Sequence, residues 1–193
     1  MKNFSIFFVA TSVAIVCLLS LPGPAEAAKQ KKRKSEDLTN FVLSPQYSRW
    51  LAGPISRLAS EDEISQYLAI TSDDEAEAFI SEFWKSRGGD AVWPATNNRK
   101  IFEARVDEAD KFYSEGTIRG SNTDRGTIYV LYGAPPQTRY EEHPKRPGVP
   151  IEIWTYPADS TEGLDGSRAD RFYFFHRVGE VTTFYRGPLR RGF

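Results

Sequence analysis

A chain of 193 residues, 26% of them charged and 13% aromatic, is long enough for one globular domain with a terminal appendage. Its formal net charge is −1 although five basic residues crowd into positions 29–34, so the remainder is acidic, which argues against a nucleic-acid platform. Cys17 is the only cysteine and lies in an apolar leader, which excludes thiol nucleophiles, Cys-type zinc sites and disulfides from the rest of the chain.

Residues 1–27 read as a secretory signal peptide. Lys2 precedes the apolar run FSIFFVATSVAIVCLLSL, then come helix-breaking Pro22 and Pro24 and small Ala25 and Ala27 at the A-x-A positions. Cleavage is expected after Ala27, with the periplasm as destination. An uncleaved N-terminal anchor is the alternative, because the run approaches the ~20 residues that span a bilayer. Val16 is bulky where a lipoprotein signal needs a small residue, which disfavours lipidation of Cys17. Residues 28–40 read as a basic, disordered linker. Lys29, Lys31, Lys32, Arg33 and Lys34 suit weak contact with an anionic membrane surface, each at ~1 kcal/mol. Residues 41–193 are expected to form a single domain.

That domain opens with a short helix in SPQYSRWLAGP, ended by Gly53 and Pro54. Ser60 and Glu63 have the spacing of a capping box, and Ser72 and Glu75 repeat it. After the second box Ala76, Phe79, Ile80, Phe83 and Trp84 share one helical face, and Gly88 and Gly89 stop the helix. Thr96 or Asn97 can cap the next helix, which Gly116 closes. Ile101, Phe102, Val106, Ala109, Phe112 and Tyr113 are expected on its apolar face. Arg105 falls within that face, as Arg87 does on the preceding helix, so each must reach water or an acceptor.

Past Gly116 the pattern shifts to β-branched and aromatic runs. TIYVLYG, IEIWTYP and RFYFFHRVGEVTTFYRG predict four strands, the last two joined at Val178-Gly179 in a hairpin over 170–186. Two segments between strands, APPQTRYEEHPKRPGVP and ADSTEGLDGSRAD, read as loops. The fold class is therefore α+β, with N-terminal helices packed on one face of a small, mainly antiparallel sheet formed by the C-terminal half.

No nucleophile elbow, S-x-x-K, Walker loop, G-x-G-x-x-G or H-E-x-x-H is present. His143, beside Glu141 and Glu142 in a proline-rich loop, reads as a solvated turn, and His176 as a structural strand residue; no metal or cofactor is expected. Glu103 and Asp107 are ordinary helix-surface carboxylates. The stretch SNTDRGTIYVLYGAPP reads as a corner. Asp124 suits an Asx-turn, Gly126 a conformation that other residues resist, and Pro135 and Pro136 a strand end. A functional reading makes Asp124 and Arg125 a polar binding clamp, supported by Arg105 or Arg87 through a charge-assisted bond.

Gly120, Thr123, Asp124, Arg125 and Gly126, followed by TIYVLYGAPP, resemble the GWxTD domain family of exported bacterial proteins. FISEFWKSR, TNNRKIFEARVDEADKFY and IEIWTY extend the likeness over about residues 60–160. The sequence departs from the family pattern where Ser121 stands at the tryptophan position, and where GGDAVWP replaces an Asp-Pro segment. The resemblance implies an exported domain without an established activity, so no catalytic residue is carried over.

The leading expectation is a non-catalytic binding or assembly module that contacts another envelope protein, with Asp124, Arg125, Arg105 and Arg87 as a candidate polar cluster. One alternative is a carboxylate-based hydrolase of envelope glycans using Asp124 and Glu152, which needs carboxyls ~5–10 Å apart. A second is a structural scaffold.

Overall fold

Serine and asparagine caps set the helical half of the chain. Residues 36–157, 159, 161–176 and 179–187 are described by a computed structural model; the signal-peptide and basic-run assignments, and Val178 of the hairpin turn, lie outside them. Leu38 and Asn40 are already buried, a few residues before the expected boundary at residue 41. Helix α1 (Pro45–Ser48) and a 3-10 turn (Pro54–Arg57) follow.

Helix α2 (Glu61–Leu68) carries the full capping box, with Ser60 Oγ accepting from Glu63 N and Glu63 accepting from Ser60 N. Helix α3 (Asp73–Lys85) starts at Ser72 with half of one: Glu75 N donates to Ser72 Oγ, while the Glu75 carboxylate accepts from Thr71 N instead. Helix α4 (Asn98–Phe112) is capped by Asn97, whose side chain accepts from Lys100 N. It ends sooner than expected, and Phe112 is 60% exposed rather than on the buried face. The three helices meet through aromatic rings, Trp50 against Tyr67 (4.8 Å) and Phe83 (5.0 Å), and Trp84 against Phe83 (5.3 Å) and Phe102 (5.2 Å). Tilted and edge-on pairs of this kind add about 0.5–1.5 kcal/mol each beyond the area they bury.

The first expected strand is a helix. Thr123 caps α5 (Asp124–Tyr132), its hydroxyl accepting from Gly126 N at 3.0 Å and donating to Gly120 O at 2.8 Å. Gly133, at φ 80°, ends it. Ile128, Tyr129, Val130 and Leu131 are all buried, so the run is apolar all round because the helix is central. Asp124 is thus the first residue of a helix rather than an Asx-turn, and Pro135 and Pro136 precede a strand instead of ending one.

That strand is β1 (Gln137–Glu142), in a segment expected to be loop. It pairs antiparallel with β2 (Pro150–Thr155), then β3 (Arg171–Phe175) and β4 (Thr183–Phe184) follow in a meander of order β1-β2-β3-β4. Among the described residues, four antiparallel strands follow five α-helices, which bears out the α+β class. Trp154 and Phe174 join the helical core on one sheet face, whereas Ile151, Ile153 and Phe175 form a second apolar cluster on the other. Tyr113 of the α4 terminus links the layers, 5.3 Å from Tyr129 and 5.4 Å from Trp154.

Two glycines permit the central helix to dock. A Cβ on Gly120 would lie 1.8 Å from Ala109 O, and one on Gly126 would lie 1.8 Å from Gly120 O. Backbone blocks both positions, so no rotamer change relieves the clash. Gly120→Ala and Gly126→Ala are each expected to lose about 3 kcal/mol or more in urea denaturation, while Gly148→Ala, in open space, loses about 1 kcal/mol from its positive φ.

Candidate functional site

The conspicuous polar assembly lies where the first turn of α5 meets the sheet. Arg125 points across to Glu115 (Nη2–Oε1, 2.8 Å) and Glu152 (Nη1–Oε2, 3.3 Å). The Glu152 residue is 4% exposed, and its remaining bonds come from Trp154 Nε1 and His176 Nε2, both at 2.7 Å. His176 Nδ1 in turn meets Thr182 Oγ1 at 3.1 Å, and Thr182 N donates to Glu115 Oε2 at 2.5 Å. A closed ring of polar contacts therefore joins α5, the loop after α4, β2, the residue that follows β3 and the segment before β4. The one gap is Arg125 Nε, buried without an acceptor; its guanidinium carbon lies 5.4 Å from the Tyr113 ring centroid.

Burial raises the Glu115 pKa, but the bonds from Thr182 and Arg125 outweigh it and hold the carboxyl below the usual range. Asp110 shows the same balance. Burial pushes it up, and the Ser121 and Arg119 bonds bring it down. Its Oδ1 accepts from Ser121 N at 2.8 Å, so α4 grips the turn Gly120–Asn122 directly. Ser121 is 3% exposed.

The four arginine and aspartate candidates fall into two places. Asp124 Oδ2 accepts from Phe184 N at 2.9 Å, which ties the start of α5 to β4. Neither Arg105 nor Arg87 supports it. Arg105 donates to Val130 O (3.2 Å) and Leu131 O (2.8 Å) at the opposite end of α5, where a cation suits the helix dipole. Arg87 bonds Glu63 at 2.8 Å, together with the carbonyls of Leu58 and Phe83. Arg57 is the arginine that feels the charge of Asp124; its own pKa is lowered by burial, against the pull of that carboxylate. Arg87 and Arg105 do share a groove of about 420 Å³ with Asn98, Ile101 and the loop 162–166.

These commitments restrict the chemistry. Glu152, considered above as a hydrolytic carboxylate, is buried with both oxygens bonded, and β3 separates its strand from the strand that Asp124 contacts. His143 packs its ring on Phe175 (5.0 Å) and Tyr185 (5.2 Å) while Nδ1 accepts from Lys145 N. Glu115, His176 and Thr182 were not identified from sequence as partners. They come from segments up to 67 residues apart, and no spacing connects them.

A family model described as GWxTD domain matches residues 29–182. Neither the curated proteins nor the solved structures include a significant match.

The ring of contacts carries a pH dependence. Because the folded Glu115 carboxyl titrates below its unfolded value of roughly 4.3, its contribution is complete above that pH and is lost as the pH falls through the folded value. Glu115→Gln is expected to cost about 2 kcal/mol at pH 7, and the difference from wild type should shrink steadily below about pH 4 in urea titrations. A difference independent of pH would contradict this assignment.

Proposed function

The chain belongs to the GWxTD domain family, and from that premise we propose that it is an exported, non-catalytic binding or assembly module whose partner is another envelope protein. The observation that carries this reading is the loop between α3 and α4. Val92 and Trp93 stand 87% and 76% exposed at its tip. The loop is nonetheless closed by its own bonds: Thr96 N donates to Trp93 O at 3.0 Å, Asn97 Nδ2 to Ala91 O at 2.8 Å, and Asn98 Nδ2 to Arg87 O at 2.6 Å. A tryptophan held outward on a preformed loop loses little freedom on binding, and tryptophan is prominent among residues that dominate interface energies.

The motif residues favour a second, narrower reading, a scaffold. Thr123, Gly126 and Arg125 are all spent on internal contacts. Photo-crosslinking from position 93 in intact envelopes separates the two. A binding module gives a discrete adduct with one envelope protein, which Val92→Ser weakens and which the same crosslinker at exposed Glu103 does not give. Trp93→Ser should leave stability within about 0.5 kcal/mol of wild type, as for a surface position. The absence of an adduct, or equal adducts from both positions, would sink the binding reading and leave the scaffold.

A further inference from the structure

We propose that the free edge of β1 pairs antiparallel with β1 of a second copy of this chain, centred on Tyr140, to form a symmetric dimer with a continuous eight-stranded sheet. The strand order makes β1 an edge. His143 N donates to Val149 O, and Tyr156 N to Asp170 O. With the registers Glu141↔Ile151 and Ile151↔Phe175, those two bonds fix the alternation: residues 137, 139 and 141 turn their backbone groups to β2, and residues 138, 140 and 142 turn theirs outward. Among the described residues nothing accepts from or donates to the backbone of Thr138, Tyr140 or Glu142 on that side. The strand is exposed along almost its whole length, with Tyr140 63% exposed. An open edge of this kind is a template for another strand.

The side chains select both the partner and the register. Pairing Tyr140 with its own symmetry mate puts Thr138 opposite Glu142 of the second copy, so every outward-facing residue exchanges backbone bonds. The residues between them then oppose as Arg139 with Glu141 and Glu141 with Arg139, two cross-strand ion pairs at the closer, non-hydrogen-bonded positions. The adjacent registers that keep the same backbone bonds fail. A shift one way sets Arg139 against Arg139, and a shift the other way sets Glu141 against Glu141. Arg139 and Glu141 pair with each other along the single strand at 3.1 Å, and of these three registers only the one centred on Tyr140 lets both exchange that partner for its equivalent on the second copy. Pro136 and Pro144, each four residues from Tyr140, bound the strand symmetrically. The pair would be isologous, with the two-fold axis normal to the sheet and both helical layers on the same side. Tyr140, whose register partner in β2 is Glu152, would meet its mate on the helical face.

Size-exclusion chromatography with light scattering on the full chain tests this. The wild type is expected to dimerise reversibly. Arg139→Glu, which creates two like-charge oppositions, should raise the dimer dissociation constant about tenfold or more, and adding Glu141→Arg should restore it. With Cys17→Ser as background, Tyr140→Cys should form an intermolecular disulfide rapidly, since opposed residues in such a pair lie ~5.5 Å apart. Phe112→Cys, an exposed control, should not. A monomeric wild type, a dimer indifferent to Arg139→Glu, or failure of the double substitution to restore pairing would each overturn the proposal. Circular dichroism on every variant separates loss of pairing from loss of fold.

Discussion

The structure depends on a contact without side chains. Gly120 sits against the carbonyl of Ala109, and Gly126 against the carbonyl of Gly120, so α4, the turn Gly120–Asn122 and the first turn of α5 follow one another at backbone distance. That approach lets one short helix serve three neighbours. Thr123 satisfies the amide of Gly126, Asp124 takes the amide of Phe184, and Arg125 reaches two glutamates. At the far end Arg105 from α4 covers the last carbonyls, and Tyr129 donates to Glu108 at 2.5 Å. Burial, with the bond and the charge of Glu108, pushes the Tyr129 hydroxyl up to about 12. The family motif is therefore the joint between the helical layer and the sheet.

Ion pairs withdrawn from water are weak evidence of stability in themselves. Desolvating Arg125, Glu115 and Glu152 offsets much of their mutual attraction, and removing any one leaves the others uncompensated. The ring that they form with His176 and Thr182 aligns three sheet segments on the helix in one arrangement only. Among the described residues, surfaces open to other molecules are peripheral, and they include the Val92–Trp93 loop, the Arg87–Arg105 groove and the β1 edge.

The parts of this fold that could be read from sequence are those whose causes are local. The Ser60–Glu63 box and the 3.6-residue face of α3 act within a few residues, and both were legible. The β2 and β3 segments were legible because each is a β-branched or aromatic run ended by turn residues. TIYVLYG misleads for a physical reason. Its short apolar run suits a buried strand or a buried helix equally, and only the Thr123 cap with backbone-distance docking selects the helix. QTRYEE misleads in the opposite sense, since an edge strand exposed on both faces has no apolar alternation to show. Asp124 and Arg125 stand out in the sequence, but their partners Phe184, Glu115 and Glu152 arrive from distant segments and are fixed only by the tertiary fold.

A nine-residue helix rich in β-branched and aromatic side chains cannot persist alone in water, because nucleation costs more than so few turns return. Helix α5 therefore depends on packing against α4 and the sheet to persist. Its amides should open to exchange only when the whole domain opens, with no local route that frays it first. The most recognisable stretch of this sequence thus owes its helical form to its neighbours rather than to its own propensity.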